Sequence, residues 1–271
     1  MGKRTIVVTG SASGIGAATA RMLRARGERV IGVDLREAEV IADLATPAGR
    51  KALVDGVTKL SGGTIDAIVA NAGGGPPETS LSLNFFGTVA TLEGLRPLLA
   101  GSSAPRAVAV SSIASLRPAR GRLIELCLAM NEAGAKDATA DVLREGGRGG
   151  DPMPAAVQAG LDLYGNAKQA LQRWCRAAAP KPEWAGAGIL LNVVALGFYD
   201  TPAAAYALND LPSRAALESM FPLRGSFPGR PEEAAALLAW LVSTENTQVT
   251  GQILFADGGF EAKAGTEAAR T

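Results

Sequence analysis

The chain has 271 residues, of which 47% are hydrophobic and 20% charged, and its formal net charge is +1. A charge so near zero gives no electrostatic reason to expect a nucleic acid or an anionic membrane as a partner. There is no histidine and there are only two cysteines. This composition excludes Ser-His-Asp and Cys-His catalysis, argues against a metal site of the zinc type, and is typical of a protein of the reducing cytoplasm.

Short apolar runs alternate with longer amphipathic stretches along the chain. Strands are predicted at 4–9, 29–35, 40–44, 65–70, 107–111, 189–194 and 253–256. Helices are predicted at 15–26, 48–60, 81–99, 161–179 and 231–242. Continuous runs of Val, Ile and Ala are typical of strands buried on both faces, and their alternation with helices favours a parallel sheet. We therefore predict an α/β fold, a Rossmann-like doubly wound seven-stranded parallel sheet with helices on both faces, in a single domain over residues 1–271.

Two segments interrupt this alternation. Residues 116–160 separate a strand from the next helix by more than a usual connection, so we interpret them as an insert, helical at 123–130 and a loop at 146–152. Residues 201–230 are Ala-rich and then Pro-rich. The polar tail from Glu261 is expected to fray. The apolar run at 6–8 is too short for a signal peptide or a spanning helix, so we expect no membrane partner and a cytoplasmic location.

The first chemical signal is the turn Thr9-Gly10-Ser11-Ala12-Ser13-Gly14-Ile15-Gly16, which follows a strand and opens a helix. Glycines let a backbone approach a pyrophosphate, whose charge then lies at the helix N-terminus. An ordinary Gly-rich turn is the alternative, and the strand–turn–helix context argues against it. The predicted cofactor contacts here are Gly10, Ser13, Gly14, Ile15 and Gly16.

Asp34 ends the second predicted strand. An acidic residue there accepts hydrogen bonds from the adenosine ribose and repels a 2′-phosphate, which favours NAD over NADP. Arg36 is the counter-indication, because it could reach a phosphate, although a solvated side chain is the simpler interpretation.

Tyr164 and Lys168 are four residues apart in a predicted helix and therefore share a face. A free tyrosine has a pKa of about 10 and is a poor acid or base near neutrality. A lysine ammonium one turn away favours the phenolate and lowers that pKa, so the tyrosine can exchange a proton with a substrate oxygen. Tyr and Lys also fall four apart on many exposed helices, so this pair alone is a weak signal.

Together these residues resemble the short-chain dehydrogenase/reductase family along nearly the whole chain. The turn at 9–16 matches the family's T-G-x-x-x-G-I-G, and Tyr164 and Lys168 match its Y-x-x-x-K. The other matches are Asn71-Ala72-Gly73 for the family's N-A-G, Asn84 for its helix asparagine, Ser112 for its serine, and Asp43-Leu44 for the pair that contacts adenine.

The resemblance implies a role for each residue. Tyr164 would be the acid/base, and Lys168 would assist it and hold the nicotinamide ribose. Ser112 would orient the substrate oxygen, with Ser111 as a competitor for that role. Asn84 would anchor a water that links Lys168 to solvent. Taken singly, Ser112 could merely end a strand and Asn84 could merely pack within its helix.

Residues 33–44 and the long insert further resemble the bacterial 3-alpha-hydroxysteroid dehydrogenase/carbonyl reductase branch. That branch implies NAD and a bulky apolar secondary alcohol or ketone as the small-molecule substrate, with aromatic alcohols among the substrates of some relatives. Residues at about 201–225 fit a substrate lid. Its apolar side chains, which could equally pack on the core, are Tyr206, Leu208, Leu211, Met220 and Phe221.

The chain also departs from the family pattern. The family's Pro-Gly reads Leu196-Gly197 here, while Thr201 is kept, and all three are expected to contact the cofactor. The insert adjoins the helix that helps to pair subunits in the family, and we expect a homo-oligomer, a dimer rather than a tetramer. Two other functions stay open, a non-catalytic NAD-binding regulatory protein and a lyase or epimerase on the same fold.

Overall fold

The computed structural model describes residues 3–147, 153–225 and 227–268. Its seven strands form one parallel sheet with the order β3-β2-β1-β4-β5-β6-β7. The strands are β1 (Thr5–Thr9), β2 (Arg29–Asp34), β3 (Val40–Ile41), β4 (Ala67–Ala70), β5 (Arg106–Ser112), β6 (Leu190–Leu196) and β7 (Ile253–Ala256). The predicted fold class is confirmed. The strand order reverses between β1 and β4, and ligands of open α/β sheets bind at such a switch point.

Helices cover both faces of the sheet. They are α1 (Gly14–Ala25), α2 (Pro47–Ser61), α3 (Thr88–Leu95), α4 (Gly121–Leu128), α5 (Glu132–Glu145), α6 (Ala155–Ala178), α7 (Ala205–Leu208), α8 (Leu211–Met220), α9 (Pro231–Leu241) and α10 (Phe260–Ala268). Because side chains alternate along a strand, Ile6 and Val8 pack with α1 and α9, while Val7 packs with α2, α3 and α6. No helix in the described part of the chain has the length and apolarity to cross a bilayer.

The helix predicted at 81–99 is not a regular α-helix throughout. It begins as a π-helical stretch, Ser82–Gly87, continues as α3, and tightens into a 3-10 helix at Arg96–Gly101. Pro97, which has no N–H to donate, explains the change at the C-terminal end. The strand predicted at 40–44 is limited to β3, and the helix predicted to start at 161 starts at Ala155.

The tail was expected to fray, and this expectation is wrong for residues up to 268. The carboxylate of Asp257 accepts hydrogen bonds from the backbone N–H groups of Gly259 (2.9 Å) and Glu261 (2.8 Å), which anchor the start of α10. The ring of Phe260 lies 5.4 Å from that of Phe221, centroid to centroid. The two hydrogen bonds and the ring contact hold the start of α10, a segment whose polar sequence gives no such signal.

The insert folds as two helices, α4 and α5, that pack against α6. Leu123 and Ile124 of α4 and Val142 of α5 belong to the same buried cluster as α6. Glu132 at the start of α5 pairs with Arg50 of α2 at 2.6 Å. The helix predicted at 123–130 is α4, whereas α5 was not predicted. Most of the loop predicted at 146–152 lies outside the described residues.

Candidate active site

The turn between β1 and α1 depends on its glycines. Gly10 and Gly14 have φ angles of +68° and +51°, a region that favours glycine. A Cβ on Gly16 would lie 1.9 Å from the carbonyl oxygen of Gly10, so α1 could not begin so close to β1 with any larger residue. Ser13 and Ile15 stand at the N-terminus of α1, where unpaired backbone N–H groups can bind an anion.

Asp34 is placed over this turn. Its carboxylate accepts hydrogen bonds from the backbone N–H of Ala12 at 2.9 Å and of Leu35 at 2.7 Å. The side chain of Arg36 is exposed. A fixed negative charge therefore lies at the carboxyl end of β2, beside the glycine turn.

The segment Asn71-Ala72-Gly73 is fastened to the end of β1. The side-chain amide of Asn71 donates to the carbonyl of Thr9 at 3.0 Å. The backbone N–H groups of Asn71 and Ala72 both donate to the Thr9 hydroxyl at 3.0 Å. The exit of β4 and the glycine turn thus form one unit at the switch point of the sheet.

Asp43 and Leu44 follow β3 on the same edge of the sheet. Asp43 is exposed, and its carboxylate accepts a hydrogen bond from the Ala45 N–H at 3.0 Å. Leu44 is buried, and its carbonyl oxygen would lie 2.7 Å from a Cβ on Gly87. Asp43 is therefore open to a ligand, while the side chain of Leu44 packs into the core.

Tyr164 and Lys168 project from α6 toward this edge. Lys168 is 1% exposed, and its Nζ donates to the carbonyl oxygen of Val110 at 2.8 Å. The same Nζ lies 5.5 Å from the centroid of the Tyr164 ring. Burial lowers the pKa of Lys168 to about 7. Tyr164 itself is half-buried.

Ser111 and Ser112 point to opposite sides of β5. Ser111 is buried, and its hydroxyl donates to the carbonyl of Lys168 at 3.3 Å and accepts from the side chain of Gln172 at 2.9 Å. Ser112 is half-buried, and its hydroxyl accepts from the N–H of Ala114 at 3.1 Å. This arrangement favours Ser112 over Ser111 as the residue that meets a substrate.

Asn84 is fully buried within the π-helical stretch, a distortion often found at functional sites. Its side chain accepts from the N–H of Gly74 and donates to the carbonyls of Gly74 and Ser80, each at 2.9 Å. A Cβ on Gly73 would lie 2.8 Å from Asn84 Oδ1 and 3.1 Å from Lys168 Nζ. Asn84 and Lys168 are thus brought together beside Gly73, and the water anchored by Asn84 stays a prediction.

Leu196, Gly197 and Thr201 close the site from the other half of the sheet. Leu196 is a buried residue of β6. A Cβ on Gly197 would lie 3.3 Å from Cε1 of Phe221, and one on Gly14 would lie 3.2 Å from Cγ2 of Thr201. The structure therefore brings Thr201 to the glycine turn although the two are far apart in sequence.

The predicted lid contains α7 and α8. Leu208 is buried, whereas Leu211 and Met220 are 76% and 43% exposed. Phe221 packs against Phe227, with 5.1 Å between ring centroids. The side chain of Tyr206 lies outside what the structure describes. The segment predicted as a lid thus has exposed apolar side chains on α8, and aromatic rings anchor its C-terminal end.

Sequence reasoning missed a buried ion cluster centred on a carboxylate of α6. Asp162, two residues before the tyrosine, pairs with Arg117 at 2.9 Å and with Arg120 at 2.8 Å. A carboxylate two residues from the tyrosine, on a helix expected to be buried, indicated that an ion-pair partner was needed. Nothing local in the sequence indicates which residues those partners are.

Comparison with known proteins places the chain in a family. Residues 4–123 match a family model described as short chain dehydrogenase, and residues 154–261 match one described as Enoyl-(Acyl carrier protein) reductase. The 3-alpha-hydroxysteroid dehydrogenase/carbonyl reductase of Comamonas testosteroni is 36% identical over 95% of this chain and 96% of its own length. The chain belongs to the short-chain dehydrogenase/reductase family of oxidoreductases, which use a nicotinamide dinucleotide.

Two further proteins are similar over nearly the full length. The cis-4-hydroxycyclohexanecarboxylate dehydrogenase of Sinomonas cyclohexanicum is 31% identical over 96% of this chain and 97% of its own. The crystal structure of the 3-alpha-hydroxysteroid dehydrogenase from Pseudomonas sp. B-0831 complexed with NADH superimposes with a TM-score of 0.82. That protein is 34% identical, and the match covers 98% of this chain and 99% of the other.

Proposed function

We propose that this protein, acting as a single catalytic domain, is an NAD-dependent dehydrogenase that interconverts a bulky apolar secondary alcohol and its ketone, with Tyr164 as the acid/base. The observation that carries the proposal is the placement of Tyr164 and the buried Lys168 on one face of α6, beside the exit of β5 that bears Ser112. A regulatory protein that only binds the dinucleotide has no need of this arrangement.

The glycine turn fits a dinucleotide. Without side chains at Gly10 and Gly16 the turn packs directly against its own backbone and Asn71, which brings the N-terminus of α1 close to the end of β1, where a pyrophosphate would bind. Ser13, Ile15 and Thr201 would lie around the pyrophosphate. Asn71, Ala72 and Gly73 would lie along the cofactor between the pyrophosphate and the nicotinamide. When bound, the nicotinamide would exchange a hydride with the carbon that bears the substrate oxygen.

The carboxylate of Asp34 supports NAD over NADP. It is held by the N–H groups of Ala12 and Leu35 where the adenosine ribose would lie, and a 2′-phosphate would meet its negative charge. The similar Pseudomonas protein is crystallised with NADH, which agrees with this preference. The exposed Arg36 is the residue that would favour NADP instead.

The protein's own groups would manage the proton. In alcohol oxidation the Tyr164 oxygen takes the proton from the substrate hydroxyl while the Ser112 hydroxyl holds the substrate oxygen in place. A positive charge on Lys168 stabilises negative charge on the Tyr164 oxygen. Asn84 and Lys168 lie together beside Gly73, so we propose that a water held there passes the proton toward solvent.

The substrate class follows from the lid. Leu211 and Met220 of α8 and the nearby Leu223 leave large apolar surfaces exposed, which an apolar substrate could cover. The similar proteins named above act, by their names, on hydroxysteroids and on a hydroxylated cyclohexane ring. A ring-bearing secondary alcohol is therefore the proposed substrate.

The insert affects which surfaces are available for pairing with a second subunit. Helices α4 and α5 occupy a face of α6, the helix that the family resemblance implicates in subunit pairing. We propose a homodimer that pairs through other surfaces. Light scattering should give the mass of a dimer, and a monomer or a tetramer would contradict this assignment.

The test of the substrate and cofactor is an absorbance assay of reduced nicotinamide formation. The panel should contain 3-hydroxysteroids, aromatic alcohols, cyclohexanols and short linear alcohols, each with NAD and with NADP. We expect turnover with NAD and a preference for ring-bearing alcohols. Dinucleotide binding without oxidation of any alcohol, and without reduction of the matching ketones, would favour the regulatory alternative.

A further inference from the structure

The carboxylate of Asp162 is clamped by two arginines within α6's packing layer. Arg117 donates from Nε (3.0 Å) and Nη2 (2.9 Å) to Oδ1 of Asp162. Arg120 donates from Nε (3.2 Å) and Nη2 (2.8 Å) to Oδ2. The Asp162 side chain is 4% exposed, and those of Arg117 and Arg120 are 19% and 9% exposed. Each carboxylate oxygen thus has its own guanidinium.

The clamp joins the segment before α4 to the end of α5, the two helices of the insert. Arg117 and Arg120 immediately precede α4, and Nη2 of Arg120 also donates to the carbonyl of Gly146, just after α5, at 3.3 Å. Asp162 therefore pairs with the segment that leads into α4 and, through Arg120, is linked to the end of α5.

The clamped segment is also the continuation of the strand that carries Ser112. Ser112 begins the 3-10 helix Ile113–Leu116, and the backbone N–H of Arg120 donates to Asn166 Oδ1 at 2.6 Å. A Cβ on Gly165 would lie 2.3 Å from the carbonyl oxygen of Ala114, so the segment is in direct contact with α6 at the turn beside Tyr164.

Stability alone gives little reason for such a cluster. Taking three charges out of water is costly, and replacing a buried ion cluster by well-packed apolar side chains is often neutral or stabilising. What an ion cluster with four directed hydrogen bonds provides is a fixed geometry. Here that geometry relates the Ser112 segment to the helix of Tyr164.

We propose that Asp162 is a positioning residue: through Arg117 and Arg120 it holds the segment from Ser112 to the insert against α6, and so sets the separation of the Ser112 and Tyr164 hydroxyls. This inference rests on the proposed function, because it concerns the proton-transfer pair of that reaction. It also gives the insert a part in catalysis, since the same clamp holds the insert and the Ser112 segment.

The test compares Asp162→Asn with wild type, using Asp141→Asn as the matched control. Asp141 is an insert carboxylate whose pair with Arg144 is largely exposed. For Asp162→Asn we expect kcat for alcohol oxidation to fall by about tenfold or more, because misplaced reacting groups lose rate steeply. We expect the dissociation constant of NAD to stay within about twofold and Asp162→Glu to recover part of the rate. The control should match wild type.

Hydrogen exchange followed by mass spectrometry gives a readout that does not depend on turnover. Peptides covering 112–120 should exchange faster in Asp162→Asn, while peptides covering the glycine turn at 9–16 stay as in wild type. If Asp162→Asn does not fold, Arg117→Lys takes its place in the same measurements. This variant keeps the positive charge but loses the paired Nε and Nη2 hydrogen bonds to Asp162.

The outcomes separate the two proposals. An unchanged kcat or unchanged exchange at 112–120 in the folded variant would overturn the positioning role. A wild-type protein that oxidised no alcohol would remove the proposed function, and the exchange of 112–120 would then decide whether Asp162 holds this segment.

Discussion

Nζ of Lys168 lies 5.5 Å from the centroid of the Tyr164 ring and 2.8 Å from the carbonyl oxygen of Val110. The lysine is thus tied to the end of β5 while it faces the tyrosine one turn away on α6. Burial of this cation lowers its pKa to about 7, so its charge responds to pH in the neutral range. Nζ of Lys168 therefore links β5 to α6 next to the residue that we propose transfers the proton.

The buried lysine predicts a pH-dependent stability. Its pKa is about 7 in the folded protein against 10.5 for an ordinary lysine, so the unfolded chain binds the extra proton between these values. Protonation therefore destabilises the fold as pH decreases from about 10 to 7, by at most about 1.4 kcal/mol per pH unit. Lys168→Met removes this effect. Urea unfolding of the cofactor-free proteins should show the variant gaining stability relative to wild type as pH falls through that window.

A difference between Lys168→Met and wild type that did not change from pH 7 to pH 10 would contradict this prediction. Lys59→Met, at an exposed position near the end of α2, is the control and should show no such trend.

Gly73 is predicted to be essential because it has no side chain. A methyl there would lie 2.8 Å from Asn84 Oδ1 and 3.1 Å from Lys168 Nζ, so one of these groups must move. Gly73→Ala should lower kcat by about tenfold or more. In Gly186→Ala the nearest atom is 3.5 Å away, which is ordinary contact, and kcat should be unchanged. Wild-type kcat in Gly73→Ala would mean that the Asn84–Lys168 arrangement is not needed.

Asp34 is predicted to set cofactor preference. Asp34→Ala removes the negative charge held by the Ala12 and Leu35 N–H groups. The ratio of kcat/KM for NAD to that for NADP should fall by about tenfold or more, since one charge contact at a ribose site is worth about 1–3 kcal/mol. Arg36→Ala is the companion variant and should raise the ratio or leave it unchanged. If Arg36→Ala lowered NADP use while Asp34→Ala did nothing, the arginine would be the determinant.

Glu132 is predicted to stabilise the insert in a pH-dependent way. Burial raises its pKa, but hydrogen bonds from Arg50 and Ser82 and the charges of Arg50 and Lys136 outweigh this, so the pKa lies below its usual value. The stabilisation is therefore present at neutral pH and is lost as pH falls below the usual glutamate value of about 4.3. Glu132→Gln should lower the free energy of unfolding at pH 7 by about 1–3 kcal/mol.

The difference between Glu132→Gln and wild type should shrink as the pH is lowered from 6 toward 3. Asp141→Asn breaks an exposed pair and should cost less than about 1 kcal/mol at any pH. A cost for Glu132→Gln as small as that of the control would show that the insert does not depend on the contact with Arg50.

The sheet could be predicted from the sequence because each strand is marked by the residues of its own short segment. Runs such as those of β1 and β5 are apolar and short, and right-handed crossovers restrict how they can be ordered. The glycine turn could also be predicted. Its tight backbone, with positive φ at Gly10 and Gly14, favours glycine, and glycines in this pattern are visible in the sequence.

What the sequence did not reveal depends on distant partners. α5 is rich in Ala and polar residues, and its first residue, Glu132, pairs with Arg50, 82 positions away. Asp162 meets Arg117 45 positions away, so no local pattern indicates the clamp. The start of α10 likewise contacts a distant residue, since Phe260 packs against Phe221.

The most direct measurement of the central claim is alcohol-dependent NADH formation by wild type and by Tyr164→Phe, with NAD binding measured on both by calorimetry. Removing one phenolic oxygen takes away the proposed proton acceptor and leaves the glycine turn untouched. We expect kcat to fall by about a hundredfold or more while the dissociation constant of NAD stays within about twofold. Retained turnover in Tyr164→Phe would contradict the assignment of Tyr164 as the acid/base.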